Sequence, residues 1–433
     1  MITVPSIAYL YEIFKQHPFV QTDTRKLNKG DIYLALKGPN FNGNAFAEKA
    51  LEAGASFAIV DEPVEAAAKC NDKILLVNDG LSCLQELAKH HREQFKIPFI
   101  GITGSNGQTT TKELVATVLA SHFKTYTTQG NLNNHIGVPL TLLSIQPDAQ
   151  MAVIEMGANH LKEIESYCAY AMPNYGLITN CGKAHLEGFG SEEGVRKGKG
   201  ELFDYLRAHH GTAFIMSDYD YLNAMTAGVS EVIRYGTQTG ALQASASSEN
   251  GFLQVNFTKG FELDTIQTQL VGEYNLPNIL AAVSIGLYFK VPAAKIKAAI
   301  ESYTPTNSRS QLLKWNHNDV ILDAYNANPS SMKLAIENFS KLNAAHKVVC
   351  IGAMKELGTT SILEHQQLIQ LLEQHQWEHV VLVGGDFEQC KHHYTFFSNA
   401  IAAKEWLQQQ NFTNRSILIK GSRGIKMEQV LDK

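Results

Sequence analysis

Short continuous apolar runs recur along the chain and end close to glycine or hydroxyl residues. Phe99–Thr103, Met151–Met156, Tyr175–Thr179 and Ala213–Met216 form one set, and Val320–Asp323, Val348–Gly352, His379–Gly384 and Ser416–Lys420 form another. Runs of this kind predict parallel strands buried on both faces. The stretches between them carry helical periodicity, so the pattern predicts repeated βα units and mainly parallel sheets, an α/β fold class. Nearer the start, Asp31–Leu36, Ser56–Val60 and Ile74–Val77 read as strands and Ala45–Ala53 as a helix. Leu81–Phe95 has leucines at helical spacing with charges between them, an amphipathic helix leading onward. Polar and apolar residues alternate in Ser245–Gln269, which predicts a small antiparallel insertion, and Asn275–Tyr288 returns to an apolar helix. The pattern divides the chain into three α/β units, 1–95, 96–305 and 306–433.

Composition narrows the setting. A chain of 433 residues is too long for one core, and its 44% hydrophobic and 18% charged residues fit an ordinary globular protein. A net charge of −5 gives no reason to expect nucleic acid or an anionic membrane as partner. Six widely spaced cysteines read as reduced, mostly buried thiols of a cytoplasmic protein, not as a disulfide framework or zinc site. No apolar run is long enough for membrane insertion, and Met1–Pro5 lacks the basic start and apolar core of a signal peptide.

Candidate chemistry begins where Phe99–Thr103 runs into Gly104-Ser105-Asn106-Gly107-Gln108-Thr109-Thr110-Thr111-Lys112. Glycines let a backbone come close to a polyphosphate, and the amides at a helix start point at it. Thr109 or Thr110 offers a hydroxyl for Mg²⁺. The position after Gly107 would ordinarily be a lysine reaching the outer phosphates; here it is Gln108. Lys112, one helical turn on, is expected to point away from the helix and not to replace the missing cation.

Two further strand ends carry chemistry. Glu155 ends an apolar strand before Gly157, and Asn180 and His185 follow another. A lone Glu at a strand end reads as solvent-exposed and a lone His as structural. Together with a phosphate turn, however, they resemble the sparse protein ligand set that Mg²⁺ uses beside phosphates. Val195–Phe203, which contains Lys199, reads alone as a basic helix start in solvent.

Read in order, these segments resemble the Mur ligases of peptidoglycan synthesis. The resemblance runs through Thr22–Arg25, Phe41–Gly43, Thr103–Thr111, Gly130–Pro139, Glu155–Gly157, Ala184–Gly190, Asn275–Asn278, Asp323–Met332 and Lys420–Arg423. It implies three domains: an N-terminal α/β domain for a UDP-sugar, a central P-loop-type ATP domain, and a Rossmann-like C-terminal domain. It also implies an ATP-dependent amide ligase with Mg²⁺ as cofactor. The substrates would be UDP-N-acetylmuramoyl-tripeptide and D-alanyl-D-alanine, joined through an acyl phosphate, and the default state is a monomer.

Residue roles follow from the same resemblance. Thr103, Gly104, Ser105, Asn106, Gly107, Gln108, Thr109 and Thr110 would cradle the phosphates. Thr109, Glu155 and His185 would hold Mg²⁺, and Lys199 would be the lysine that relatives carbamylate with CO₂, making a further metal ligand. Asn275 and Asn278 would contact adenine, and Arg309 and Asp323 would reach the nucleotide when the domains close. Asp23, Thr24 and Arg25 would lie near the UDP-sugar. Asn133, Asn134, Tyr325, Asn326, Asn328 and Ser331 would face substrate, the last three on the D-alanyl-D-alanine side. The chain departs from the family at Gln108, where lysine is usual, and at Ala353, where aspartate is usual. These departures also fit a non-catalytic, substrate-binding relative acting through complexes with other cell-wall proteins.

Overall fold

The computed structural model describes residues 4–64, 72–249, 251–306 and 308–432. Cys70 and the first three residues, on which part of the thiol and leader expectations fall, lie outside them. The first unit carries a four-stranded parallel sheet in the order Val20–Gln21, Ile32–Leu34, Phe57–Val60, Ile74–Leu76. Helix Gly80–Arg92 follows. Asp79 caps it by accepting from the Ser82 amide at 2.7 Å, and Leu84, Leu87 and Ala88 bury one face.

The middle unit is organised on a nine-stranded sheet. Phe99–Thr103 lies between Met151–Glu155 and Tyr175–Ile178, both parallel to it. Thr103 is level with Ile178, and Ile102 with Glu155, so the ends of three strands open at one place. That is where ligands bind in open parallel sheets. The alternating segment is no separate insertion. Leu242–Glu249, Phe252–Lys259 and Thr265–Gln267 extend the same sheet, joined to it by parallel pairing of Tyr235 with Leu242. Alternation reports a half-buried strand but not which sheet edge it joins.

The third unit has a six-stranded sheet in the order Gln311–Trp315, Asn318–Asp323, Ser416–Lys420, Lys347–Gly352, His379–Val383, Thr395–Phe397. Every pairing is parallel except the first. Successive residues of Lys347–Gly352 feed different cores: Val349 and Ile351 enter one cluster, Val348 and Cys350 the other. The sheet is therefore covered on both faces, as its continuous apolar runs predict. Its parallel register sets Asp323 beside Lys420 at the strand ends. Among the described residues no helix is long and apolar enough to cross a membrane.

Candidate active site

A cavity of about 700 Å³ opens at these strand ends, between the middle and third units. Its floor is the turn from Thr103 to helix Gln108–Ala120. Two glycines are required there. Gly104 has φ +152°, and a Cβ on it would meet Thr179 Oγ1 at 2.0 Å; Gly107 has φ +76°, and a Cβ would meet Asn278 Oδ1 at 2.6 Å. Asn180 pins the turn: its carbonyl oxygen accepts from the Ser105 amide at 2.9 Å and its side-chain oxygen from the Asn106 amide at 3.1 Å. Thr103 is buried, with its hydroxyl donating to the Met156 carbonyl at 2.6 Å.

Gln108 is turned back on this loop. Its Nε2 donates to the carbonyl oxygen of Gly104, while Oε1 is buried without a hydrogen-bond partner. Exchanging the ends of the amide would set two carbonyl oxygens against each other, so Gly104 fixes the orientation of the amide. A lysine would present positive charge from this position; Gln108 presents an unpaired acceptor. Lys112 does not compensate, nor does it point outward. It is buried, and its Nζ donates to the Thr128 carbonyl at 2.9 Å.

Glu155 is 2% exposed, contrary to the solvent-facing reading of a lone strand-end carboxylate. Its Oε1 accepts from the Thr109 hydroxyl at 2.8 Å and from Asn133 Nδ2 at 2.9 Å, whereas Oε2 is buried with no partner. A carboxylate with one oxygen fixed and the other left open, beside a phosphate-type turn, fits a hard divalent cation. Among the described residues no group of three His, Cys, Asp or Glu side chains could hold a metal. Protein ligands alone therefore do not make the site, and phosphate oxygens would have to complete it. His185 lines the same cavity, and its Nδ1 stands 2.5 Å from Oε2 of Glu356 in the third unit, without the alignment of a good hydrogen bond.

Lys199 is fully buried within helix Glu192–Ala208, not on a solvated face. Its Nζ donates to the Ala158 carbonyl at 2.9 Å and lies 5.4 Å from the centre of the Phe189 ring. Gly198 makes room for that ring, since a Cβ there would meet Phe189 Cε1 at 2.4 Å. Burial pulls the amine down to about 8, far below an ordinary lysine. Lys199 stands behind the cavity: Ala158, which holds it, lines the wall, and Lys199 does not.

Asn275 and Asn278 line the cavity, yet their side chains are largely used within the fold. Asn278 Nδ2 donates to Asn275 Oδ1 at 2.8 Å, Thr111 donates to Asn278 Oδ1 at 3.0 Å, and Asn275 Nδ2 donates to the Val271 carbonyl at 2.9 Å. Together they buttress the phosphate turn from beneath. From the third unit come Arg309, Asp323, Tyr325, Asn326, Asn328 and Ser331. The Arg309 guanidinium lies over the Tyr325 ring at 3.6 Å, and Lys420 Nζ is 2.5 Å from Asp323 Oδ2. Asn328 and Ser331 form a reciprocal cap on helix Pro329–Lys341, and Asn328 Nδ2 also reaches Asn106 Oδ1 at 2.8 Å. The buried Ala353 has its methyl in the space beside Gly385, where a Cβ would meet it at 2.4 Å.

Asn134 lines the cavity, with its Oδ1 accepting from the Gly137 amide at 2.9 Å. Asp23, Thr24 and Arg25 are not part of this cavity. They form a short turn on the first unit in which Arg25 Nη2 and Asp23 Oδ2 are 2.7 Å apart. Sequence reasoning missed Glu163, Tyr167, Tyr219 and Tyr274, which line the wall, and gave Lys420 no separate role. Nothing in their local pattern marks them.

Comparison with known proteins now decides the family. Models described as the Mur ligase family catalytic domain, the Mur ligase middle domain, and the Mur ligase glutamate ligase domain match residues 17–92, 102–286 and 308–423. A Bacillus subtilis (strain 168) protein named UDP-N-acetylmuramoyl-tripeptide–D-alanyl-D-alanine ligase is 34% identical, over 95% of this chain and 92% of its own length. The chain belongs to the Mur ligase family. An Escherichia coli (strain K12) Mur ligase of the same name is 33% identical, with the same coverage. The crystal structure of MurF from Acinetobacter baumannii superposes with a TM-score of 0.85 at 30% identity, covering 95% of this chain and 92% of that one. The MurF ligase from Thermotoga maritima, solved in complex with ADP, shares the fold with a TM-score of 0.86 at 24% identity, over 96% and 97% of the two chains.

Proposed function

We propose that this chain is an ATP-dependent ligase joining D-alanyl-D-alanine to UDP-N-acetylmuramoyl-tripeptide. The names of the relatives supply the substrates. The observation that carries the chemistry is Glu155, fixed through Oε1 by Thr109 and Asn133 and open at Oε2 beside the phosphate turn. In this reading the terminal carboxylate of the tripeptide attacks the γ-phosphorus of ATP, releasing ADP and forming an acyl phosphate. The amine of D-alanyl-D-alanine then attacks the acyl carbon. Phosphate leaves, the amine loses its proton, and an amide remains.

The residues divide the work. The amides of Gly107–Thr110, at a helix N-terminus, would bind the phosphates, on a turn that the Ser105 and Asn106 amides anchor to Asn180. Glu155 and His185 would hold Mg²⁺, which when bound neutralises phosphate charge and polarises the transferred group. Lys199, kept partly neutral by burial, suits reaction with CO₂, because only the free amine is a nucleophile. Asn275 and Asn278 support the turn in addition to any adenine contact. Arg309, Asp323 and Tyr325 would close over the nucleotide, with Asn326, Asn328 and Ser331 toward the incoming dipeptide. Asp23, Thr24 and Arg25 would take the UDP-sugar on the first unit. The third unit, brought down on the cavity, would exclude water from the acyl phosphate. We assign the protein to the cytoplasm as a monomer.

Gln108 sets the expected rate. Losing one positioned donor at a transferring group costs about 3–4 kcal/mol, or roughly 10²–10³ in turnover, and the buried Oε1 adds an acceptor where negative charge arrives. That acceptor also favours a second reading, a substrate-binding relative without turnover. The test is ADP release from ATP, UDP-N-acetylmuramoyl-tripeptide and D-alanyl-D-alanine by this chain and by Gln108→Lys. Slow turnover raised about 10²–10³-fold by lysine supports a ligase limited at one position. No turnover by either protein, with calorimetric binding of the UDP-peptide retained, would establish the binding relative instead.

A further inference from the structure

His185 and Glu356 face each other across the junction of the middle and third units, and both have backbones in the left-handed region, at φ 51° and 61°. Non-glycine residues keep such conformations only where their surroundings fix them, which at a cleft is a pointer to function. His185 opens the short helix Leu186–Phe189, its carbonyl oxygen accepting from the Gly188 and Phe189 amides, and it meets Glu356 across the junction. His185 Nδ1 is 2.5 Å from Glu356 Oε2, and the Glu187 amide donates to the Glu356 carbonyl at 3.2 Å. Gly358 lies at the same junction, where a Cβ would make ordinary contact with Glu187 Cα at 3.4 Å. The His185 side chain is 19% exposed and the Glu356 side chain 49%, so the carboxylate comes from the open side of the junction to a largely enclosed imidazole.

We propose that Glu356 is a positioning residue for His185: its carboxylate engages Nδ1 and leaves Nε2 as the nitrogen offered to a divalent cation. The inference rests on the reading of Glu155 and His185 as a cation-holding pair. Its physical basis is general. A metal-ligating imidazole ordinarily gives its second ring N–H to a carboxylate or carbonyl, which fixes the tautomer and raises the basicity of the ligating nitrogen. Here the orienting group comes from another unit. The imidazole is set for metal only when the third unit is docked, so docking and cation binding favour each other.

The test uses the full chain with Mn²⁺ and the non-hydrolysable ATP analogue AMP-PNP, reading bound Mn²⁺ by electron paramagnetic resonance. Glu356→Gln is expected to weaken Mn²⁺ binding by about 10–100-fold, with Glu356→Asp between it and the parent. His185→Ala should weaken it at least as much, and the double variant should lose little more than His185→Ala alone. Long-range proton–nitrogen NMR should show the Nδ1–H form of His185 in the parent and its loss in Glu356→Gln. AMP-PNP binding in EDTA, unchanged in the variants, shows that the phosphate turn is intact. Unchanged or tighter Mn²⁺ binding in Glu356→Gln overturns the proposal, since a carboxylate that merely charged His185 would compete with the cation. Unchanged binding in His185→Ala overturns the metal reading beneath it, a distinct result.

Discussion

Helix Gly80–Arg92 joins the first unit to the middle one through side chains that are almost wholly buried, whereas the third unit meets the middle one largely through polar groups. On the first side a single apolar cluster runs without a break from Leu10, Phe14 and Leu87 into Phe99, Leu142 and Tyr170. Arg92, 5% exposed, donates to the carbonyls of Ala171, Phe95 and Met172 at 2.8–2.9 Å, and its guanidinium lies 3.6 Å from the Phe99 ring centre. His91 Nε2 is 2.8 Å from the Ile145 carbonyl oxygen. On the second side the third unit has its own cores, reached from the middle unit by Val271, Leu186 and Phe252. Polar links across it include Lys183 with Glu364 at 2.7 Å, the Lys183 amide on Ser330 Oγ at 2.9 Å, Tyr274 with Ser310 at 3.1 Å, the Glu273 amide on Asn338 Oδ1 at 3.2 Å, Asn328 on Asn106, and His185 beside Glu356. A second cavity, of about 360 Å³, also lies on this side, bounded by Leu253 and Val271 on one hand and Ile321 and Phe339 on the other. Buried apolar contact resists separation, while polar groups exchange partners with water at little net cost. The first junction is thus expected to stay closed, and the second to be the one that opens over the cavity.

Substitutions separate the two. The largest effect is expected from Arg92→Ala, which takes the donor from one buried and two partly buried carbonyls and removes a packed guanidinium. Stability should fall by about 3–5 kcal/mol: three bonds from a charged donor contribute about 1.5–3 kcal/mol each, partly offset because the desolvation cost of the buried guanidinium is also removed. Urea unfolding measures it, and a midpoint near that of the parent would break the contrast. Asn278→Ala, which undercuts the phosphate turn, should cost about 1–2 kcal/mol and weaken ATP and GTP binding by the same factor. A loss confined to ATP would mean that Asn278 reads the base instead.

Lys199 gives the pH signature. Its amine is depressed to about 8 in the fold from the usual 10.5. The charged form therefore weighs against folding below about pH 8, and that penalty fades as pH rises toward the unfolded value. Uptake of ¹³C-bicarbonate onto Lys199, followed by NMR, should rise about fivefold between pH 7 and 8 and less than twofold above that. Lys199 is held within the middle unit, so opening the second junction should leave this profile alone. The smallest effect on stability is expected from Glu364→Gln, under about 1 kcal/mol because its partner Lys183 is partly exposed. The nucleotide-free protein should nonetheless show a larger radius of gyration by X-ray scattering.

The same contrast explains what the sequence made legible. Strands such as Phe99–Thr103 and Ser416–Lys420 stand out because burial on both faces leaves an unbroken apolar run. Short edge strands such as Thr395–Phe397 and Gln311–Trp315 do not, since their half-exposed residues carry no period long enough to read. In the site, the turn and the Glu155 strand end are local features and were readable, including the odd Gln108. The roles of Asn278 and Asn328 as supports were not, because Thr111 and Asn106, their partners, lie 167 and 222 residues away. Glu356 could not be assigned to His185 for the same reason. Lys199 read as solvated because its helix is rich in charge, and only packing against Phe189 and Ala158 shows it buried.

The contrast between the junctions is tested most directly by spin-label distances. Labels at the exposed positions Lys49, Ser230 and Gln408 report on the first, middle and third units. The account predicts that the Lys49–Ser230 distance stays narrow and unchanged when AMP-PNP and Mg²⁺ are added. The Ser230–Gln408 distance should be broad without nucleotide and shorten to one narrow population with it. A Lys49–Ser230 distance that moves, or a Ser230–Gln408 distance already narrow and indifferent to nucleotide, would contradict it.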